Sequence, residues 1–241
     1  MAASPPVAPA VDDPRVTPRF LRRVSTADGD VILVGVVHDH PASVARARLV
    51  VEAHRPDVLA LELPSIAVSL YRAYAREDSP RAGGEMTAAI RAAPDATVVG
   101  IDAPNWSFLR RLLTRLVADR VPPATARRLV SSLGGATRQA LTCRLAATVT
   151  HATSMTVLCD EPIEYAVDRT DPPDRQVEHE RAHVAAVRAL LANADDDELR
   201  YRDETRERCM IDRLEACRDG ATVVAVVGVD HLETIATALE G

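Results

Sequence analysis

The sequence predicts an α/β protein with a mostly parallel central sheet that is flanked by helices. Short runs of Val, Leu, Ile and Ala alternate with longer helical patterns, and the runs lack the polar alternation of a half-exposed strand. Strands that alternate with helices are typical of parallel sheets with helical crossovers. Because 47% of the 241 residues are hydrophobic and only 3% are aromatic, the chain can bury a core made mainly of aliphatic side chains.

The first part of the chain contains most of the predicted strands. They are an edge strand at 19–25 and strands buried on both faces at 31–37, 57–61 and 97–101. Pro41 is expected to open a helix that extends to about His54, and Pro64 is expected to start another. A further helix is expected at 85–93.

The second part of the chain is predicted to be mostly helical. The expected helices are 105–118, 122–133, 137–150, 174–192, 195–218 and 232–239. One more buried strand is expected at 222–227, so residues 105–200, approximately, form a helical insertion between the third and the last buried strand. Residues 1–18, which are rich in Pro, are expected to be a disordered tail, and residues 19–241 a single domain.

The charge balance and the residue usage exclude several classes of protein. With 29 basic and 35 acidic residues the net charge is −6, which argues against a protein that binds nucleic acid or anionic membranes. The chain has no Lys, so neither a Walker lysine nor a Schiff base can form. The four Cys show no CxxC spacing, and no stretch suits a signal peptide or a membrane span. We therefore expect a cytoplasmic protein without an integral membrane segment, and the oligomeric state stays open, a homodimer included.

Polar residues follow the predicted strands at the points where the strands end. The first and the last buried strand each end in Gly-x-x-His, at 35–38 and 228–231, and Glu62 and Asp102 end the second and the third. Parallel strands present their carboxyl ends at one edge of the sheet, where ligands bind in open α/β folds. Two imidazoles and two carboxylates are therefore expected to meet there. The alternative is that each His only caps, or lies beside, the helix that follows it.

The helix predicted at 195–218 carries two charged residues on its apolar stripe. Asp203 and Arg206 fall on the same face as Met210 and Leu214. Charged groups on a face that packs against a core need a partner. Asp203 and Arg206 either pair with each other as a structural contact, or Arg206 binds an anion of the substrate or transition state.

These residues resemble the TraB/PrgY family, within the wider group of Tiki-type proteases and erythromycin-esterase-like proteins. The similar segments are 31–38, 56–62, 84–90, 99–102, 206–210 and 226–232. They cover both ends of the predicted domain and leave the helical insertion unmatched. The resemblance implies that His38 and His231 are the family's paired histidines, that Glu62 and Glu85 are its acidic positions, and that Arg206 is its arginine. Many members carry C-terminal transmembrane helices, which this sequence does not show.

The resemblance implies a hydrolase that acts on a peptide or ester-like bond, because related proteins include metal-dependent peptidases and hydrolases that activate water with His and Glu. His38 and His231, with Glu62 or Glu85, would hold a divalent metal such as Zn, Mn or Co, or would orient a water directly. A glutamate would be the general base. The substrate would be a small molecule or a peptide.

Two other residues complete this hypothesis. Arg206 would stabilise the oxyanion, and Asp102 would accept a hydrogen bond from an imidazole N–H and so fix its tautomer. The rival hypothesis is a protein that binds a small ligand or a peptide in the same cleft without turnover.

A second motif competes with this site. Residues 179–183 have the HExxH pattern, in which His179 and His183 would lie one helical turn apart and hold zinc while the Glu acts as base. Glu198 or Glu204 would be the third ligand. The apolar stripe of this helix faces away from the two histidines, so a solvated His pair is the simpler interpretation. A zinc protease of the HExxH type is the second alternative.

Overall fold

A computed structural model of the chain describes residues 11–26, 29–78, 82–102, 106–119, 121–122, 125, 163–191 and 197–241. Within this part, five strands form one sheet: β1 (Leu21–Thr26), β2 (Gly29–Val36), β3 (Val58–Pro64), β4 (Thr97–Asp102) and β5 (Thr222–Gly228). Their order across the sheet is β1-β2-β5-β3-β4. β1 pairs antiparallel with β2, and the remaining pairs are parallel. The predicted α/β class with a mostly parallel sheet is confirmed.

Helices flank the sheet at the positions that the sequence predicts. They are α1 (Pro41–His54), α2 (Val68–Tyr74), α3 (Gly84–Ala92), α4 (Trp106–Ala118), α5 (Pro173–Leu191), α6 (Asp197–Arg218) and α7 (Leu232–Glu240). The helices predicted at 122–133 and 137–150 lie, but for residues 122 and 125, outside the described residues. Of the helices described, none combines the length and the apolar character that a membrane crossing requires.

The helix that was expected to start at Pro64 begins later. β3 continues through Pro64, which pairs with Asp102 of β4 beyond an irregularity in the register after Leu61. α2 then begins at Val68. Proline has no N–H to donate, and a register irregularity is one of the few places where a paired strand accepts it. The proline therefore ends a strand instead of opening a helix.

The sheet separates two aliphatic cores, one on each face. Val31 and Leu33 of β2 belong to the core under α6 and α7, whereas Ile32 and Val34 belong to the core under α1 and α3. All four side chains are at most 2% exposed. Alternate residues of a strand point to opposite faces, so a strand covered on both faces must be apolar at every position. This burial explains the continuous apolar runs in the sequence.

The position of β5 brings the predicted site together. β5 comes last among the strands in the sequence, but it pairs with β2 on one side and with β3 on the other. In the register, Val36 lies opposite Gly228, and Leu61 lies opposite Val226. The segments that follow β2, β5 and β3 are therefore neighbours at one edge of the sheet.

Arg46 of α1 and Glu180 of α5 form an ion pair whose side chains are both 0% exposed. Both carboxylate oxygens of Glu180 accept hydrogen bonds from the Arg46 guanidinium. Arg46 also donates to the carbonyl oxygens of Gly35, at 2.9 Å, and Arg15, at 2.6 Å. Its guanidinium carbon lies 3.9 Å from the centre of the Phe20 ring. This ion pair joins α1 and α5 to β2 and to the segment that precedes β1.

Ser43 connects the ion pair to the end of β2. Its hydroxyl donates to Glu180 and accepts a hydrogen bond of 2.7 Å from the backbone N–H of Val37. Val37 directly precedes His38, so the buried ion pair also fixes the start of the loop that carries the first predicted site histidine.

The inner part of the predicted tail is ordered. The carbonyl of Arg15 accepts the hydrogen bond from Arg46, and Val16 packs against the core under α1 and α3. The guanidinium of Arg15 is held in turn by Asp13, at 2.7 Å. The expected disordered tail therefore does not extend to residue 18, because residues 11–18 contribute contacts to the domain.

Removing the Glu180 carboxylate should strongly destabilise the fold. Glu180→Ala leaves the buried Arg46 without its counter-charge, which costs about 3 to 5 kcal/mol of unfolding free energy. Glu52→Ala is the matched control, because Glu52 pairs with Arg48 on the exposed side of the same helix, at 2.7 Å, and such pairs contribute about 0 to 1 kcal/mol. Urea denaturation followed by circular dichroism measures both. Equal losses in the two variants would contradict the structural role of the buried pair.

Candidate functional site

A cavity of about 210 Å³ opens at the edge of the sheet where β2, β5 and β3 end. His38, Glu62 and His231 line this cavity, as the sequence predicts. The other three predicted site residues, Glu85, Arg206 and Asp102, are not among the lining residues. They lie behind the cavity wall, where two of them contact the lining side chains directly.

The His38 imidazole is fixed by a buried carboxylate from α3. Its Nδ1 lies 2.8 Å from Oε1 of Glu85, whose side chain is 1% exposed. The other oxygen of Glu85 accepts a hydrogen bond of 2.9 Å from the backbone N–H of Asp39. The hydrogen bond and the negative charge of Glu85 raise the pKa of His38 to about 9. His38 is therefore protonated at neutral pH and presents Nε2 as an N–H donor.

The approach of α3 to this loop requires a glycine. Asp39 has φ of 56°, in the left-handed region that Asp tolerates better than most residues. A Cβ atom at Gly84 would lie 2.2 Å from the Oδ1 atom of Asp39. Any larger residue at this position would push α3, and Glu85 with it, away from His38.

The His231 imidazole is fixed in the same way by a residue that the sequence analysis missed. Its Nδ1 lies 2.8 Å from Oε1 of Glu207 on α6, and its Nε2 lies 3.5 Å from Oε1 of Glu62. Burial lowers the pKa of His231, but the bond to Glu207 and the charge of Glu62 outweigh it, and the pKa lies above its usual value. His231 does not cap α7 with its side chain, so the capping alternative is wrong for this residue.

Glu62 is held from two sides. Its Oε2 accepts a hydrogen bond of 2.6 Å from the backbone N–H of Gly228, and its Oε1 accepts one of 2.9 Å from Arg206. A Cβ at Gly228 would lie 3.3 Å from Oε2 of Glu62, so this glycine allows the carboxylate to approach the backbone closely. The glycine of the first Gly-x-x-His motif has another function. A Cβ at Gly35 would lie 3.0 Å from the side chain of Leu232, so that glycine makes room for α7.

Arg206 is a positioning residue for Glu62. Its Nε and Nη2 atoms donate to the two oxygens of Asp102, at 3.0 and 2.8 Å, in addition to the bond to Glu62. Its Nη1 lies 3.5 Å from Asp203, which is the structural contact that the sequence allowed. Asp102 receives two bonds from the guanidinium, and Glu85 and Glu207 bind the Nδ1 atoms of the two imidazoles. A bond from an imidazole to Asp102 stays a prediction.

The HExxH residues lie in two environments: Glu180 is buried in a structural ion pair, and His183 faces the cavity. Glu180 is buried and paired with Arg46, which argues against a role as the base of a zincin. Nδ1 of His179 forms a hydrogen bond of 3.0 Å with Nε2 of His40. His183, by contrast, lines the same cavity as His38 and His231. The pair is thus packed at the site and is not a solvated surface pair.

His40, and not His38, caps α1. Its Nδ1 accepts a 3.2 Å hydrogen bond from the backbone N–H of Ala42. Burial lowers its pKa to about 4, so the ring is neutral and Nε2 carries the proton that points to His179. This contact and the ion pair Arg46–Glu180 fix α5 beside the cleft.

Tyr165 is a further residue that sequence reasoning missed. Its hydroxyl donates a 2.7 Å hydrogen bond to the carbonyl of His38, and its ring packs edge-on against His40 and His183 at 4.7 and 5.4 Å between centroids. No spacing in the sequence connects Tyr165, or Glu207, to the Gly-x-x-His motifs. Glu207 lies in the segment 206–210, which carries the family resemblance, whereas Tyr165 lies outside every similar segment.

This site offers imidazole nitrogens and carboxylate oxygens, which are atoms that bind divalent cations. Histidines that bind metals usually give their second ring nitrogen to a carboxylate, as His38 and His231 do with Glu85 and Glu207. Among the residues that the structure describes, no three side chains of His, Cys, Asp or Glu are grouped closely enough to hold a metal ion.

Comparison with known proteins gives no match to a protein-family model, to a curated protein or to a solved structure. The resemblance to the TraB/PrgY family therefore stays a prediction from the segments that carry it.

Replacing Glu85 should lower the pKa of His38. In Glu85→Gln the neutral amide no longer stabilises the imidazolium, so the pKa of His38 falls from about 9 toward its usual 6.5. The stabilising contribution of the wild-type pair is complete below pH 6.5 and is lost as the pH rises through 9, because the folded form binds the proton more tightly. NMR titration of the imidazole C–H signals measures the shift. Glu207→Gln, which acts on His231, is the control, and an unchanged His38 pKa in Glu85→Gln would contradict the geometry.

Proposed function

We propose that this protein is a hydrolase that cleaves a peptide or ester-like bond in the cavity lined by His38, Glu62 and His231. The observation that carries the proposal is the paired arrangement of two imidazoles. Each faces the same small cavity, each has Nδ1 held by a buried or half-buried carboxylate, and Glu62 lies within 3.5 Å of one of them. Imidazoles and a carboxylate in one cleft are the groups that general acid–base hydrolysis requires.

The positive charge on the two rings would stabilise the oxyanion that forms when water attacks a carbonyl. The carboxylates on Nδ1 favour protonation of His38 and His231, which turns Nε2 of each ring into a donor toward the cavity. Preorganised donors aimed at a developing negative charge are a main source of rate enhancement. A divalent cation such as Zn, Mn or Co would replace these protons, would be held by the same two Nε2 atoms, and would supply a polarised water.

Glu62 would accept the proton of the attacking water. Two carboxylates among the described residues line the cavity, Glu62 and Asp230. Asp230 is exposed and pairs with Arg188 at 3.1 Å, whereas the Glu62 side chain is only 14% exposed and is oriented by Gly228 and Arg206. A base must be held in place during proton transfer, so Glu62 is the better candidate.

The size of the cavity favours recognition of a small reacting group. Its volume of about 210 Å³ is below the roughly 300 to 1,000 Å³ of sites that enclose a drug-sized ligand. The cleft would therefore hold the scissile bond and its nearest substituents, while the rest of a peptide or ester lies outside it.

Replacing the proposed base should abolish turnover without unfolding the protein. Glu62→Gln keeps the size of the side chain but cannot accept a proton, so we expect hydrolysis to fall by about 10²- to 10⁴-fold. A panel of aryl esters, alkyl esters and short peptides, followed by mass spectrometry, measures the rate. Glu52→Gln, the same change on the exposed side of α1, should retain full activity. A wild-type rate in Glu62→Gln would exclude Glu62 as the base, and saturable binding without turnover by the wild type would favour the rival binding protein.

The metal hypothesis makes a separate prediction. Metal bound to protein purified without a His tag should be lost in His38→Ala and retained in His179→Ala, as measured by elemental analysis. Because the cation displaces a proton from each protonated imidazole, its affinity should rise by at least about tenfold per pH unit up to pH 9. Loss of metal only in His179→Ala would overturn the assignment in favour of the HExxH helix. Full activity of a metal-free preparation would show that the protonated imidazoles suffice.

A further inference from the structure

A groove between α1 and α3 has about three times the volume of the cavity at the sheet edge. Its volume is about 630 Å³, against about 210 Å³ for the cavity at the sheet edge. This volume lies within the range of small-molecule sites. The groove is lined partly by small apolar residues of both helices, such as Ala45, Ala88 and Ala92. Small side chains on facing helices leave the room that the groove occupies.

The charge of the groove is opposite in sign to that of the protein. Within the part of the chain that the structure describes, four arginines and two acidic residues line it: Arg15, Arg48, Arg91, Arg169, Glu52 and Asp78. The whole chain has more acidic than basic residues and a net charge of −6. A basic concavity on an acidic protein attracts anions while the remaining surface repels them.

Three of these arginines keep unused donors. Arg48 donates to Glu52 through Nη1, and Arg91 donates to two backbone carbonyls through Nη1, so the hydrogen bonds found leave Nε and Nη2 of each available. In the described part of the chain, Arg169 has neither a hydrogen bond nor an ion pair from its guanidinium. Arg15 differs, since Asp13 and Gln176 occupy it. Free edges of guanidinium groups match carboxylate and phosphate oxygens with two parallel hydrogen bonds.

We propose that the α1–α3 groove binds a small anion with two or more carboxylate or phosphate groups. Arg48, Arg91 and Arg169 bind the charged oxygens. This site is separate from the cavity of His38 and does not depend on the proposed hydrolysis.

The experiment is calorimetric titration of the full chain with citrate and with pyrophosphate at constant ionic strength. We expect saturable binding of at least one probe to the wild type. The double variant Arg48→Gln/Arg91→Gln should weaken this binding at least tenfold. The matched control is Arg22→Gln/Arg111→Gln, which removes two arginines that are also paired with acidic residues but lie outside the groove. The control should stay within twofold of the wild type. Unchanged binding in the arginine double variant would overturn the proposal.

Two further results separate the alternatives. Preference for citrate identifies carboxylate, and preference for pyrophosphate identifies phosphate, as the group that the groove recognises. His231→Ala should leave the binding intact. If His231→Ala loses binding while the arginine double variant binds normally, the anion lies in the cavity of His38 and the proposal is overturned. The proposal is also overturned if neither probe shows saturable binding to the wild type.

Discussion

The ion pair of Arg46 and Glu180 is the contact on which the arrangement of this protein depends. A buried pair of charges is tolerated only where hydrogen bonds satisfy both groups. Here the donors of Arg46 that are not used by Glu180 go to carbonyls of β2 and of the segment before β1, and Glu180 also accepts from Ser43. Few relative positions of α1, α5 and the sheet meet these requirements together. The pair therefore holds α5, and with it His183 and the residues near it, beside the carboxyl edge of the sheet.

Several of the side chains that line the cavity are held by a second set of charged side chains behind them. This second set determines the charges at the cavity. Three polar groups at the cavity have a partner of opposite charge behind them: His38 has Glu85 and His231 has Glu207. Glu62 has Arg206. The partners come from α3 and α6, which pack on opposite faces of the sheet. Both cores must therefore form before the site has its charge pattern. Such support fixes orientation in advance, so that little reorganisation is needed during reaction.

Local patterns in the sequence predict much of this structure. The continuous apolar runs indicate strands covered on both faces, and the Gly-x-x-His motifs locate His38 and His231 at the cavity but give no sign of His183, which also lines it. Residues that reach the site side chains only through tertiary packing leave no local pattern in the sequence. Glu207 is 24 residues from His231, and Asp102 is 104 residues from Arg206. The HExxH spacing was misleading for a related reason, since the spacing gives no sign that Glu180 faces a buried arginine.

The order of the strands has a consequence for the synthesis of this chain. Residues of β2 and β3 leave the ribosome early, but the strand that pairs with both of them, β5, begins only at Thr222. Until then the facing edges of β2 and β3 have no native partner between them. Unpaired apolar strand edges promote association with other chains, and contacts between distant residues form slowly. Production of this protein should therefore depend on chaperone capacity and on translation speed more strongly than its modest length suggests.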